Sequence, residues 1–174
     1  GSQAVGMGKD LYDNFESAKN VFDTADKVLS KNISTMCFEG PEDSLKQTIN
    51  TQPSIVTMSI AAMEALKSEL DITPSYTAGH SLGEYCAMYT SGVMSLENTL
   101  KAIQKRADLM SATKGGSMAA VLNASEEQLK AGLEEGSKVG YVDVANYNSP
   151  AQVVITGAED AVKAASDYMV ANGV

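Results

Sequence analysis

The chain has 174 residues, of which 44% are hydrophobic and 20% charged, a size and composition typical of a folded protein with its own core. Its 22 acidic and 13 basic residues give a formal net charge of -9, which repels nucleic acid and anionic membranes. No apolar run is long enough to span a bilayer, so we expect a cytoplasmic protein with no nucleic-acid or membrane partner.

The N-terminal part of the chain is predicted to be helical. Apolar residues at steps of four and three predict one amphipathic helix; they are Leu11, Phe15, Ala18, Phe22, Ala25 and Leu29. The segment GPEDSLKQTIN begins with a proline and two acidic residues, and predicts a short helix through Leu45 and Ile49. A new helix is predicted to start around Thr51 and Pro53 and to be buried, because residues 55–70 are apolar on most sides.

The central segment predicts a strand, a tight turn and a helix. Residues 76–78 are expected to be extended and lead directly into GHSLG at residues 79–83, and the helix that follows ends at Gly92. Ser95 is predicted to cap the next helix, which ends at residues 114–116. The apolar face of that helix consists of Leu96, Leu100, Ile103, Ala107 and Met110.

After this point the pattern changes from helices to an alternation of strands and helices. The segments SMAAVLN, YVDVANY and QVVITG predict strands, whereas SEEQLKAGLEEG and EDAVKAASDYMVANG predict helices. Ser125 and Gln128 have the spacing of a capping box at the start of the first of these helices. The order β-α-β-β-α matches a ferredoxin-like unit that lacks its last strand.

Ser81 is the candidate nucleophile. The pattern G-x-S-x-G between a predicted strand and a predicted helix is typical of a nucleophile elbow, in which the next residue's N–H, here from Leu82, helps to form an oxyanion hole. The N-terminus of the following helix also favours negative charge that develops there.

His80 is the only histidine, but it is a poor candidate for the general base. Adjacent side chains on an extended segment point to opposite sides, so we expect His80 to be packed or hydrogen-bonded beneath the elbow. The base is then outside these residues or is not a histidine, and the spacing of Lys105 or of any carboxylate does not favour them.

Arg106 lies on or beside the apolar face of its helix, and two interpretations remain open. It could be a structural arginine, either snorkelling or paired with a carboxylate. It could instead clamp a substrate carboxylate, which suits the two-pronged geometry of a guanidinium. Cys37 and Cys86 lie far apart and form no Cys/His cluster, so we predict reduced packing residues, with neither a metal site nor a cofactor.

Several segments together resemble one family, the malonyl-CoA:acyl carrier protein transacylases and the acyltransferase domains of fatty acid and polyketide synthases. They are GSQAVGMG, NTQPSI, GHSLGEYCAMYTSGVMSLENTLKAIQKRADLM and ANYNSPAQVVITG. The resemblance runs from residue 1 to residue 174. It is far more specific than the serine pentapeptide alone.

The resemblance implies a role for each candidate residue. Ser81 would accept the acyl group, the Leu82 N–H would be half of the oxyanion hole, and Arg106 would bind the malonyl carboxylate. Gln52 and Met110 would belong to the substrate-binding site. A branched apolar residue at position 82 is the pattern of malonyl-selective members. Malonyl-CoA and acyl carrier protein would be the partners, in fatty acid biosynthesis.

The resemblance also implies an architecture. Residues 1–114 would be part of an α/β-hydrolase-like core, and residues 115–174 a truncated ferredoxin-like subdomain. In the family, the glutamine that completes the oxyanion hole precedes the residue matching Gly1, and the general-base histidine follows the small subdomain. We therefore expect an interior piece of a longer enzyme, inactive alone.

Two other functions remain open from the sequence. A serine carboxylesterase or thioesterase would use the same elbow with water as the acceptor, although Arg106 near the pocket favours an acidic acyl group. A non-catalytic binding module is the other possibility, because the base is missing from these residues. The acidic net charge does not support a transferase that binds acidic coenzyme A, although Lys101, Lys105 and Arg106 could form a local basic patch.

Overall fold

A computed structural model describes residues 2–174 and shows an α/β protein made of two compact units. The first unit extends to Ala112, and the second comprises Thr113–Val174. Each unit has its own cluster of buried apolar side chains. No helix among the described residues has both the length and the apolar character needed to cross a membrane.

The first unit consists of helices. They are α1 (Lys9–Asn14), α2 (Glu16–Leu29), α3 (Ile33–Glu39), α4 (Glu42–Leu45), α5 (Thr48–Glu69), α6 (Gly83–Thr90) and α7 (Leu96–Ala112). The long helix α5 packs against both α2 and α7, which places it at the centre of the unit. Fully buried side chains from these three helices, including Phe22, Ile60 and Ile103, form the core. The predicted apolar face of α7 is confirmed at Leu100, Ile103 and Ala107, which are buried.

The prediction of a single helix from Leu11 to Leu29 was wrong, because the chain is extended at Phe15 between α1 and α2. Just before this break, the Asn14 side chain donates from Nδ2 to the carbonyl of Asp10 at 2.8 Å, a local bond that competes with helix continuation. The interruption is one residue long and leaves the spacing of apolar residues intact. Periodicity alone therefore could not reveal it.

The boundaries predicted around Pro53 were also wrong. Helix α4 ends at Leu45, and Ile49 belongs to α5, which begins at Thr48 and contains Pro53. Proline has no N–H to donate to the carbonyl four residues earlier, which here belongs to Ile49. Gln104 of α7 compensates by donating from Nε2 to that carbonyl at 3.4 Å. A partner distant in sequence thus allows the helix to continue, and the separate helix α3 was missed altogether.

The predicted strand at residues 76–78 is absent from the described structure. Residues 71–74 and 76–79 have no regular secondary structure, and nothing in the described residues pairs with them as a strand. A strand is assigned only where a second backbone supplies hydrogen bonds, so an extended sequence is not sufficient for one. The segment nevertheless leads directly into the turn at residues 80–82.

The second unit has the predicted β-α-β-β-α order: β1 (Gly116–Leu122), α8 (Glu126–Ser137), β2 (Val142–Ser149), β3 (Gln152–Ala158) and α9 (Glu159–Ala171). The strands form one antiparallel sheet in the order β1-β3-β2, so β1 and β2 run parallel on either side of β3. Ser125 and Gln128 form the predicted capping box at the start of α8. Residues of the sheet and of both helices enclose the core, including Ile155, Ala165 and Met169.

Candidate active site

Ser81 lies on a tight turn between the extended segment and α6. Its backbone φ is 53°, in the left-handed region that residues with a side chain rarely adopt. The turn brings the chain back so closely that a Cβ on Gly79 would lie 2.0 Å from the carbonyl carbon of Gly83. Only glycine fits at position 79. A serine with positive φ in an exposed turn at the start of a helix matches the turn and helix of a nucleophile elbow, whereas the strand that precedes such a turn is absent from the described residues.

The first turn of α6 lies directly behind this serine. The N–H groups of Gly83 and Glu84 donate to the carbonyls of His80 and Ser81 at 2.9 and 3.3 Å. Leu82 is the N-cap residue, where a helix offers no intrahelical acceptor for the backbone N–H. Its side chain is partly buried against the core of the first unit, which holds the residue in place. The Leu82 amide thus remains the candidate for one oxyanion donor.

Arg106 connects the turn to two helices. From α7 its Nη2 donates to Ser81 Oγ at 2.8 Å, and its Nη1 donates to Gln52 Oε1 at 2.5 Å. Gln52 lies on α5 and in turn donates from Nε2 to the Met110 sulfur at 3.3 Å. Four side chains that the sequence singled out are thus joined in one chain of hydrogen bonds.

The positive charge of Arg106 has no anionic partner in the described part of the chain. No carboxylate there lies within 4.0 Å of it, and every salt bridge involves a lysine. Gln52 and Ser81, the two side chains that accept from it, are neutral. A partly buried cation without a counter-ion attracts an anion, and the guanidinium geometry suits a carboxylate. The structural interpretation that required an ion pair is thereby contradicted within the described residues.

The other titratable candidates differ in their surroundings. His80 is exposed, so the expectation that it packs beneath the elbow was wrong. Lys105 is also exposed, and Lys101 pairs with Glu97 one turn earlier on α7. Burial raises the pKa of the Cys86 thiol, which disfavours the reactive thiolate. Cys37 is buried and Cys86 is partly buried, and neither is in a disulfide bond. Ser81 therefore remains the candidate nucleophile.

Two features of the site did not follow from the sequence pattern. Met110 was expected on the apolar face of α7, but it is 49% exposed and contacts Gln52 through its sulfur. Gln104 was not recognised, although it donates to the Ile49 carbonyl of α5, about one helical turn before Gln52, and also to Asp108 at 2.8 Å. Gln104 and Asp108 are four residues apart on a helix, and this spacing could have predicted their hydrogen bond.

Comparison with known proteins places these residues in a family context. A family model described as acyl transferase domain matches residues 1–174. The chain is 41% identical over 177 aligned residues to the malonyl CoA-acyl carrier protein transacylase of Bacillus subtilis strain 168. It also resembles a solved malonyl CoA-acyl carrier protein transacylase from Clostridium perfringens, with a TM-score of 0.91 and 39% identity.

A second similar structure contains a partner protein. It is a type II PKS acyl-carrier protein in complex with its malonyl-transacylase, and this chain matches it with a TM-score of 0.90 and 34% identity. These three matches each cover 99% of the present chain but only 55% to 57% of the other chain. The chain therefore spans a little over half the length of these relatives.

Proposed function

The chain belongs to the acyl transferase domain family, and on this premise we propose that the full-length protein is a malonyl-CoA:acyl carrier protein S-malonyltransferase. It would transfer malonyl from coenzyme A to the phosphopantetheine thiol of an acyl carrier protein, through an ester on Ser81. The names of similar proteins and the carrier-protein complex among similar structures support this proposal.

The observation that carries the proposal is the position of Arg106. Its guanidinium donates directly to the candidate nucleophile, yet no carboxylate of the described residues neutralises it. Malonyl differs from acetyl by a free carboxylate, and that group would supply the missing negative charge. Binding it at Arg106 would hold the thioester carbonyl close to Ser81 Oγ.

In the proposed first half-reaction, Ser81 Oγ forms a bond to the thioester carbon of malonyl-CoA. The Oγ proton passes to a general base, and a tetrahedral oxyanion forms that the Leu82 N–H helps to stabilise. The carbon–sulfur bond then breaks, and coenzyme A leaves with a proton. In the second half-reaction the carrier thiol attacks the seryl ester, and Ser81 regains its proton. Arg106 is always a cation, so the base must be another group.

We also propose how the two units correspond to the parts of an acyltransferase. We assign residues 1–114 to part of an α/β-hydrolase-like acyltransferase core, with the elbow serine between an extended segment and a helix. Residues 115–174 correspond to a ferredoxin-like subdomain, in keeping with the sheet order β1-β3-β2. A role in fatty acid biosynthesis in the cytoplasm fits the names of the relatives.

Intact-protein mass spectrometry tests the proposal. The full-length protein is mixed with malonyl-CoA, and a malonyl adduct is expected on the wild type but not on Ser81→Ala. Adding holo-acyl carrier protein should move the adduct to the carrier, whereas an esterase or thioesterase would release free malonate. An adduct that persists in Ser81→Ala, or malonate release without transfer, would contradict the proposal.

A further inference from the structure

We propose that Gln52 is a positioning residue that acts through Arg106, and that its neutral amide keeps the guanidinium charge available for the substrate carboxylate. This inference rests on the proposed function and adds a determinant of malonyl selectivity. It predicts that glutamine, and not glutamate, is required at this position.

The Gln52 side chain has little surface with which to touch a substrate directly. The residue is only 5% exposed, and both polar atoms of its amide have partners within the protein. Oε1 accepts from Arg106 Nη1 at 2.5 Å, and Nε2 donates to the Met110 sulfur at 3.3 Å. Turning the amide over would place Nε2 opposite another donor. Its orientation is thus fixed with the oxygen towards Arg106.

The backbone beneath Gln52 is held in the same way. Pro53 follows directly and leaves the Ile49 carbonyl without its usual donor from the helix. Gln104 of α7 donates to this carbonyl at 3.4 Å. Two hydrogen bonds from α7, one from Gln104 and one from Arg106, therefore set the register between α5 and α7. Gln52 consequently limits where the Arg106 guanidinium can lie.

The charge of the residue at position 52 decides what Arg106 can bind. A buried arginine usually has a carboxylate partner, and a glutamate at position 52 would be close enough to provide one. That internal pair would satisfy the guanidinium and repel a second carboxylate from the substrate. The amide instead provides a hydrogen-bond acceptor without charge. Arg106 is held in place while its charge remains free for malonyl.

The test compares malonyl-CoA and acetyl-CoA as substrates of the full-length protein. Gln52→Glu should lower kcat/KM for malonyl-CoA by about 10- to 100-fold, the range expected for hydrogen bonds to charged groups. The change should lie mainly in KM, and acetyl-CoA should be affected about twofold or less. Gln52→Met, which removes the acceptor without adding charge, should give a smaller decrease that is again specific to malonyl-CoA.

A matched control is Gln47→Glu, which makes the same charge change at the exposed N-cap of α5. It should leave kcat/KM unchanged for both substrates. Equal losses for malonyl and acetyl in Gln52→Glu and Gln52→Met would show a purely structural role and overturn the inference, as would no loss in either. If Gln52→Glu does not fold, Gln52→Met decides. A wild-type protein that forms no malonyl ester would instead overturn the proposed function itself.

Discussion

The two units of this chain differ in how sequence specifies structure. In the second unit, regular elements follow local signals, such as the Ser125 and Gln128 capping box and the two-residue connection between β2 and β3. In the first unit, the site depends on hydrogen bonds between residues up to 58 positions apart. Its central serine also has a backbone conformation that side-chain-bearing residues disfavour. Local rules therefore describe the supporting elements better than the chemistry.

Adding a side chain at Gly79, where the backbone passes very close to Gly83, should have the largest effect. Gly79→Ala would place a Cβ 2.0 Å from the Gly83 carbonyl carbon, so the turn must move by more than about 1 Å. We expect a loss of about 100-fold or more in kcat and about 3 kcal/mol or more in stability. Turnover measurements and urea unfolding of the full-length protein test this.

The matched control for this change lies at the other end of the same turn. Apart from its chain neighbours and the nearby backbone of α6, no described atom lies within 4 Å of a Cβ placed on Gly83, so Gly83→Ala should preserve stability. If both variants unfold to the same extent, a general intolerance of the turn, and not the contact at Gly79, explains the loss.

Arg106 tests whether long-range contacts in the first unit determine selectivity. Arg106→Ala should lower the ratio of kcat/KM for malonyl-CoA over acetyl-CoA by about 100-fold, because only malonyl has a free carboxylate that would lose its contact with Arg106. Arg106→Lys should recover only part of this ratio, because an ammonium lacks the guanidinium fork. Equal loss for both substrates would indicate a structural role.

Alkaline pH should weaken the first unit in particular. Burial raises the pKa of Cys37 to about 11, from 9.0 in an exposed thiol, and the other cysteine also lies in the first unit. Above pH 9 the unfolded chain releases this proton more readily than the folded protein, so stability falls between pH 9 and 11. By pH 10 the loss is about 1 kcal/mol.

Denaturant unfolding at pH 8 and pH 10 measures this loss. Cys37→Ala should be less stable at both values, since it leaves a cavity, but should lose less between them than the wild type. Tyr89, whose pKa is raised to about 12 by burial, is present in both proteins and cancels in the comparison. An identical change in both would assign the alkaline loss to other groups.

The smallest expected losses of stability come from removing one helix cap in each unit. Ser125→Ala removes an acceptor for the Gln128 N–H and breaks a reciprocal capping box, which should cost about 1 kcal/mol. The Ser95 Oγ accepts from the Asn98 N–H at 3.2 Å without the reciprocal bond of a capping box, so Ser95→Ala should cost less. Thermal or urea unfolding checks the order, and a larger loss in Ser95→Ala would contradict the importance of the reciprocal bond.

Much of the fold was predictable where the signal was local. The order of elements in the second unit, the capping box and the burial of Leu100, Ile103 and Ala107 on α7 are confirmed, whereas Met110 of the same predicted face is exposed. The break at Phe15 and the continuation of α5 through Pro53 were not predictable, because they depend on a side-chain bond at Asn14 and on Gln104 from another helix. The expected strand before Ser81 failed because a strand requires a partner.

At the candidate site, the sequence singled out residues that the structure joins by hydrogen bonds, but it did not predict those bonds. Spacing around Ser81 predicted an elbow, and its positive φ agrees with that. Periodicity could not decide whether Arg106 was structural or functional, since the answer depends on which groups lie within 4 Å of it. Only the structure shows that the two side chains that accept from Arg106, Gln52 and Ser81, are uncharged. The bond from Gln52 to the Met110 sulfur likewise joins two helices and leaves no pattern in either one.

The central position of β3 has a consequence for how the second unit assembles. β2 and β3 are joined by only two residues, Pro150 and Ala151, whereas β1 pairs with β3 across the whole of α8 and β2. Closing a short hairpin takes about 1–10 μs, and pairings between distant segments form more slowly. We expect the hairpin to form first during folding and to present its free edge as the template on which β1 docks.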